Sequence, residues 1–512
     1  MDKSFYISTP IYYPSANPHM GHAYSSIIAD FFARFKRIDG YNVHFLTGTD
    51  EHGLKIQRAA EAKGVDTLEF CNEISKIFRD LSKTLNLTNT DFIRTTEERH
   101  KKSVQYLWNE LKKNDDIYLS KYSGWYSVSD EAFYNDDEIE EVDNKKTAIL
   151  SGSSVEWVDE ESYFFRLSKW EKPLLDFYKS NPDFISPSTR KNEVVSFVES
   201  GLKDLSISRK SFSWGIKVPN DNDHVIYVWL DALTNYLSSL DYPNVNNDLF
   251  KKFWPASIHL IGKDILRFHA VYWPAFLLAA KIKPPKKVYG HGWILSNEVK
   301  MSKSKGNILD PIEIIDKYGL DPLRYYLIKE VSFGSDGNIS QDRLENCINS
   351  DLANNFGNLC QRVTAFAIKN CEGKIPEKVE FVKDDFLILD KYKNNLDKIR
   401  LEIDNQNINY YINYIVNSLF EANKYFNDQE PWKMKNDRIR LNTIVYTTLE
   451  IVRKISFLLY PIIPESSLKA LKIFSLEEKD IIFSSVEKND YLIKGNKINK
   501  INILFDKIEK ND

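Results

Sequence analysis

Phe5 to Tyr13 is a run suited to a buried strand, and beyond a short loop Ile27, Ile28, Phe31, Phe32 and Phe35 recur at helical spacing until Gly40. A strand, a loop and a one-faced helix in that order open a βαβ unit, which commits the chain to a parallel sheet flanked by helices. A second strand follows at Asn42 to Leu46, then the loop Thr47-Gly48-Thr49-Asp50-Glu51-His52-Gly53 and a helix closing at Gly64. The first half of a doubly wound sheet is thus expected by about residue 115. From about 116 to 222 short aromatic-rich segments such as Tyr122-Ser123-Gly124-Trp125-Tyr126, with an acidic run from Asn135 to Asp143, read as an insertion. Strand and helix alternation resumes with the strands His224 to Trp229 and His259 to Ile261, followed by Gly262-Lys263-Asp264 and an aromatic helix to Ala280. Beyond about 345 long helical periodicities dominate, up to a lysine-rich, weakly patterned end after about 475.

With 512 residues, 42% hydrophobic and 28% charged, the chain can bury a large core spread over several domains. Met1-Asp2-Lys3-Ser4-Phe5 runs straight into the first strand, so no cleaved targeting segment is expected, and Val271 to Ala280 is far shorter than the roughly 20 residues of a membrane span. The four cysteines, Cys71, Cys347, Cys360 and Cys371, form no Cys-x-x-Cys pair, which argues against a disulfide framework and fits a reducing cytoplasm. A net charge of −4 supplies no global basic field, so any nucleic-acid contact rests on local patches.

Pro18-His19-Met20-Gly21-His22 occupies the loop before the first helix, where backbone N–H groups and the helix dipole attract phosphates and two histidines can donate to them. Taken alone it could equally be a polar helix start. About 280 residues later comes Lys300-Met301-Ser302-Lys303-Ser304-Lys305-Gly306-Asn307. A lysine-rich loop is usually solvated surface, but one with flanking serines and Gly-Asn can close over a triphosphate and neutralise departing pyrophosphate.

Together these strings resemble the paired signatures of the class I aminoacyl-tRNA synthetases. Thr9-Pro10-Ile11-Tyr12-Tyr13, Gly48-Thr49-Asp50-Glu51-His52-Gly53, Tyr227-Val228-Trp229-Leu230-Asp231-Ala232, Ile261-Gly262-Lys263-Asp264-Ile265 and Phe268-His269 are similar to the methionyl-tRNA synthetase family, from the first residues to about 435. The resemblance implies a Rossmann-type α/β doubly wound parallel sheet with an inserted connective domain, followed by an all-α anticodon-binding helical bundle. The expected boundaries are 1–115 and 223–295 for the two halves of the catalytic domain, 116–222 for the insertion, 296–345 for the Lys-Met-Ser-Lys-Ser loop and stem-contact region, and 346–512 for the helical domain.

The implied activity is ATP-dependent adenylation of methionine, with Mg²⁺ accompanying the nucleotide, and transfer to the 3′-terminal adenosine of methionine tRNA, initiator and elongator alike. His19, Gly21, His22, Asp264, Lys300, Ser302 and Lys303 are then the expected ATP-binding residues, with His19, His22, Lys300 and Lys303 catalytic. Asp50 is expected to hold the methionine ammonium. Ile11, Tyr13, Trp229, Ala232, Tyr236 and His269 should line a narrow, polarizable slot whose Tyr O–H or neutral His N–H can reach the thioether. His269 could instead be a structural helix histidine, Trp273 pocket wall or core, and Asp231 either a support behind the pocket or a helix N-cap. Asn358 and Arg362, four apart on one helix face, and Trp432 correspond to the family's readers of the CAU anticodon.

Many relatives carry Cys-x-x-Cys zinc ligands after Tyr-x-Gly-x-Tyr, whereas this chain continues Ser127-Val128-Ser129-Asp130, so no structural zinc is expected and aromatic packing should hold the insertion. A monomer is expected for want of an appended dimerising domain. A leucine, isoleucine or valine enzyme would need a large editing domain, for which about 105 inserted residues leave little room. A silent tRNA-binding paralogue would have lost His19, His22, Lys303 or Asp50, and all four are present. A small-cofactor nucleotidyltransferase would have no use for Asn358, Arg362 and Trp432.

Overall fold

The structure, a computed structural model, describes residues 3–14, 17–130, 132–142, 145–149, 151–296, 299–300, 310–434 and 436–509. It divides into two compact units: residues 4–18 with 43–291, and residues 1–3 with 19–42 and 292–512.

In the first of these a six-stranded sheet runs in the order Asp91–Arg94, Asn42–Thr49, Ser4–Ser8, Ile258–Gly262, Val288–His291, Ile185–Ser186. Its registers are parallel, with Leu46 opposite Asp91, Ile7 opposite Ile258 and Leu260 opposite Tyr289. Tyr6, Ile7, Phe45, Leu46 and Ile261 are buried, the continuous apolar character of strands covered on both faces. Gly48 is required by closeness, since a Cβ there would lie 2.0 Å from the carbonyl oxygen of Ile93.

Several elements differ from the sequence reading. The first strand ends at Ser8 and is followed by the isolated bridge of Tyr12 to Thr49, so Ile11 and Tyr13 stand in a loop past the strand's carboxyl end. The run expected as a strand to Trp229 is a strand only over Asp221–Ile226, and a helix begins at Val228. The segment 116–222 also carries two helices, Glu171–Ser180 and Ser188–Glu199, and it lends Ile185–Ser186 to the edge of the main sheet. Its aromatic segments form an antiparallel sheet in which Ile117–Ser127 pairs with Glu156–Phe165. Aromatic packing is present there, as in the edge contact of Trp125 with Trp157 at 5.0 Å, together with hydrogen bonds to Asp130, whose carboxylate accepts from Tyr134 Oη at 2.7 Å, Ser151 Oγ at 2.6 Å and Ser153 Oγ at 2.7 Å.

The other unit is helical apart from a small sheet of Ile294–Ser296, Val299–Lys300 and Gly337–Ile339. The helix Met20–Ile38 belongs to it, and sixteen of its nineteen residues are buried. Asp30 on that helix takes Arg34 Nε and Arg324 Nη2, each at 2.7 Å, so the buried carboxylate has the two donors that offset its desolvation. The long helices Lys383–Asp404, Ile408–Asp428 and Arg438–Leu459 form the bundle. The weakly patterned end is tied to the last of these: Leu492 N–H donates to Glu450 at 2.6 Å, Arg453 Nη2 to the Lys488 carbonyl at 3.0 Å and Lys454 Nζ to Asn489 Oδ1 at 3.1 Å. Among the described residues no helix is long and apolar enough to cross a membrane.

Candidate active site

The carboxyl ends of adjacent strands Ser4–Ser8, Asn42–Thr49 and Ile258–Gly262 carry Ile11, Tyr13, Asp50 and Asp264, the place where open α/β sheets bind ligands. Trp229, Ala232 and Tyr236 come from the short helices Val228–Leu233 and Asn235–Ser238, and His269 from the π-helical turn Phe268–Tyr272. Irregular helical turns of this type are frequent where a side chain must be re-aimed.

Ile11, Tyr13, Trp229 and Phe268 are half-buried and pack against one apolar core that includes Tyr236 and Trp273. Trp229 stacks on Phe268 with ring centroids 3.7 Å apart, and meets His269 edge-on at 6.3 Å. Trp273 is fully buried, which assigns it to the core. His269 Nδ1 lies 3.0 Å from the Ile265 carbonyl and must carry a hydrogen to bond it, leaving Nε2, at 2.8 Å from Tyr236 Oη, to accept. Burial pushes the imidazole down to about 4, against the smaller opposing pull of the Ile265 carbonyl, so the ring is neutral at pH 7. The expected Tyr or His donor to a thioether therefore already has a protein partner on each proton. What the slot presents is polarizable ring surface.

Asp50 is buried, and its N–H donates to the Tyr12 carbonyl at 2.9 Å. The residues after it are clamped. Glu51 receives Arg94 Nε at 2.7 Å, Arg94 Nη2 at 3.0 Å, Thr49 Oγ1 at 2.7 Å and Thr96 Oγ1 at 2.5 Å. His52 Nδ1 lies 2.7 Å from Asp231 Oδ2, and the His52 carbonyl accepts from Tyr13 Oη at 2.8 Å. The other Asp231 oxygen takes His100 Nε2 at 2.7 Å. Burial alone would raise the Asp231 carboxyl, but the two imidazoles hold it below its usual range. Tyr227 is the N-cap of the helix that carries Asp231, so Asp231 is the support and not the cap. Sequence reasoning singled out Asp50 and missed Glu51, His52, Arg94 and His100. The first two stood in the quoted string, whereas Arg94 and His100 had no local signal.

In the other unit His19 is the N-cap of Met20–Ile38, its Nδ1 accepting from the Gly21 N–H at 3.0 Å, while the His19 N–H donates to His22 Nδ1 at 3.0 Å. With both Nδ1 atoms acting as acceptors, each neutral ring carries its proton on Nε2. Burial, then the neighbouring His19, hold His22 well below the ordinary histidine range. Gly21 makes room for the His19 ring, since a Cβ would sit 2.8 Å from its Cε1. Asp264 is exposed and folds back over Gly262, where a Cβ would be 2.5 Å from Oδ1. Lys300 ends the Val299–Lys300 strand, whereas Ser302 and Lys303 lie outside the described residues.

Further along, the helix Asn358–Asn370 presents Arg362 to a cavity of about 570 Å³ whose lining also includes Phe366, Lys369, Phe426, Trp432 and Arg438. Trp432 is 41% exposed and meets Phe426 edge-on at 6.0 Å, and Arg362 Nη2 bonds Asn427 Oδ1 at 2.7 Å. Asn358 is half-buried and is not among the lining residues. Phe426 and Arg438 were not foreseen, because they join Arg362 and Phe366 in the cavity wall only across a long sequence separation, and Lys369, although on the same helix as Arg362, was not singled out.

A family profile described as tRNA synthetases class I (M) matches residues 5–147 and 140–364, which defines the class of protein: a class I aminoacyl-tRNA synthetase. A second profile, the anticodon binding domain of methionyl tRNA ligase, matches 375–512. Methionine–tRNA ligase of Brucella suis is 48% identical over 94% of each chain, and that of Rickettsia felis 47% identical over 99% of each. Mycobacterium tuberculosis methionyl-tRNA synthetase in complex with methionyl-adenylate superposes with a TM-score of 0.96 at 44% identity, covering 98% of this chain and 99% of that one. The free-state structure of the same enzyme gives 0.90 at 41%, covering 100% and 99%. The chain belongs to the methionine–tRNA ligase family.

Proposed function

We infer that this chain is a methionine–tRNA ligase that activates L-methionine with ATP to methionyl-adenylate and pyrophosphate, then transfers methionine to the 3′-terminal adenosine of its tRNA. What carries the reading is the slot of Trp229, Tyr236 and neutral His269 in a chain that aligns with this family over its whole length. An unbranched apolar side chain suits such a slot, and Asp50, two residues before His52, supplies the charge for an ammonium.

The chemistry asks for no protein nucleophile. The methionine carboxylate attacks the α-phosphorus in line, and the protein contributes positioning and charge stabilisation. His19 and His22 donate Nε2–H to phosphate oxygens at the positive end of a long helix. Lys300 and Lys303 neutralise the leaving pyrophosphate, with Ser302, Gly21 and Asp264 at the nucleotide. Mg²⁺ belongs to the reading as part of the ATP substrate, bridging phosphate oxygens. Arg362, Trp432 and Asn358 read the CAU anticodon, Trp432 as a stacking platform. The proposal extends to a cytoplasmic monomer, which fractionation and sedimentation test.

The deciding experiment is ATP–pyrophosphate exchange with each of the twenty amino acids, beside an Asp50→Ala control. Methionine alone should drive exchange, and the control should abolish it. Exchange driven by another amino acid, or none at all from protein that still binds tRNA, rejects the reading.

A further inference from the structure

We propose that His52 and Asp231 are positioning residues for methionine: one buried carboxylate locks the segment carrying Asp50 to the segment carrying Trp229 and Ala232. The inference rests on the methionine-site assignment above.

Asp231, His52, His100 and Ser238, which no ligand need touch, form a buried network. Asp231, His52 and His100 are at most 4% exposed. Each Asp231 oxygen accepts one ring N–H at 2.7 Å, from His52 Nδ1 and from His100 Nε2. His100 Nδ1 in turn pairs with Ser238 Oγ at 3.0 Å, and Ser238 Oγ also lies 2.9 Å from the Thr234 carbonyl. The network therefore grips Asp231 and Ser238, which bracket Ala232 and Tyr236 in the sequence.

Its other end reaches the opposite wall. His52 lies two residues after Asp50, and its carbonyl anchors the Tyr13 phenol at 2.8 Å. The His52 ring also stands edge-on to Trp214 at 5.7 Å, and Trp214 Nε1 donates to the Glu51 carbonyl at 2.6 Å. Asp50, Tyr13, Trp229, Ala232 and Tyr236, drawn from separate stretches of chain, thus all lie within two residues of a member of this network or bond to one.

A buried carboxylate is a poor choice for stability alone, because a well-packed apolar group in its place is often neutral or better. Its gain is directionality: two charge-assisted hydrogen bonds to one rigid group fix angle as well as distance. Such precision matters at an ammonium site, where misplacement by about 1 Å can cost about a hundredfold.

The test compares intact His52→Leu, His52→Asn and Asp50→Ala chains by ATP–pyrophosphate exchange, varying methionine and ATP separately, with thermal unfolding alongside. His52→Leu should raise the methionine KM about tenfold or more with the ATP KM unchanged, the loss of a hydrogen bond to a charged group. His52→Asn, whose amide N–H can stand where Nδ1–H stood, should recover most of that rise. An unchanged methionine KM in His52→Leu overturns the proposal. So does a parallel rise in both KM values that His52→Asn does not rescue, the mark of a merely structural role. Should His52→Leu not fold, His52→Gln, which moves the donor outward by one carbon, takes its place with the same outcomes. A silent Asp50→Ala would instead reject the site assignment itself. If Asp50→Ala is disabled while His52→Leu is silent, only the positioning role falls.

Discussion

Tyr236→Phe removes a single oxygen, and the structure states what that should cost. The phenol donates to His269 Nε2 at 2.8 Å, and the same ring spends its Nδ1–H on the Ile265 carbonyl at 3.0 Å. Both residues are almost wholly buried, at 1% and 2% exposure, so no solvent replaces the lost donor. The variant leaves His269 Nε2 as a buried acceptor without its partner, a penalty of about 1–3 kcal/mol. Protonation offers no escape near neutral pH, because burial holds the imidazole down to about 4. For a unit of this size each kcal/mol lowers Tm by about 2–4 °C, so a fall of several degrees is expected by calorimetry. The methionine KM should rise with it, since the His269 ring loses one of the two bonds that set its plane beside Trp229, while the ATP KM should not move. A Tyr236→Phe protein with unaltered Tm and methionine KM would refute the assigned tautomer and the claim that the pair is sealed from water.

Acid should weaken the folded state through His44 and His269, both lowered to about 4 by burial. The unfolded chain binds their protons from about pH 6.5, so their contribution is complete above that pH and is lost as pH falls toward 4, by up to about 3 kcal/mol each. Urea midpoints measured from pH 7 to 4 follow this, and replacing either histidine with Gln should flatten the curve. Gly48→Ala should cost about 3 kcal/mol or more, because its Cβ meets the Ile93 carbonyl oxygen at 2.0 Å and parallel strands cannot part locally; a Tm within two degrees of the parent would contradict the register. Arg362→Ala and Trp432→Ala should leave pyrophosphate exchange intact yet lower tRNA charging about tenfold, the worth of a lost stacking platform or base contact. Equal losses in both assays would place these residues outside anticodon recognition.

Much of this was written locally. The His19 to His22 turn is a helix start whose capping uses residues three apart, so its geometry follows from the string itself. Alternating strand and helix signals with a break at 116–222 imply the parallel sheet, because apolar period and turn residues are local properties. The α/β class and the helical C-terminal part were legible in the same way, whereas the slot candidates Trp229, Tyr236 and His269 were named through family resemblance.

Other features were decided only by packing. Trp229 reads as strand by propensity and is helical, because the chain must turn after Ile226 to bring the indole onto Phe268. Ile185–Ser186 lies in the sheet edge, although nothing in two residues marks them as strand. Asp130 serves as the hydrogen-bond centre of the insertion only because Ser151 and Ser153, more than twenty residues away, fold back onto it. His52, Asp231 and His100 come together across sequence separations of 179 and 131. The amino-acid sequence by itself determined which segments bury an apolar face and which short strings can meet a phosphate, since both depend on neighbours a few residues apart. Which polar groups share a buried partner and which proton an imidazole such as that of His269 carries were decided by tertiary structure, because hydrogen bonds inside a protein are made with whatever the fold places within about 3 Å.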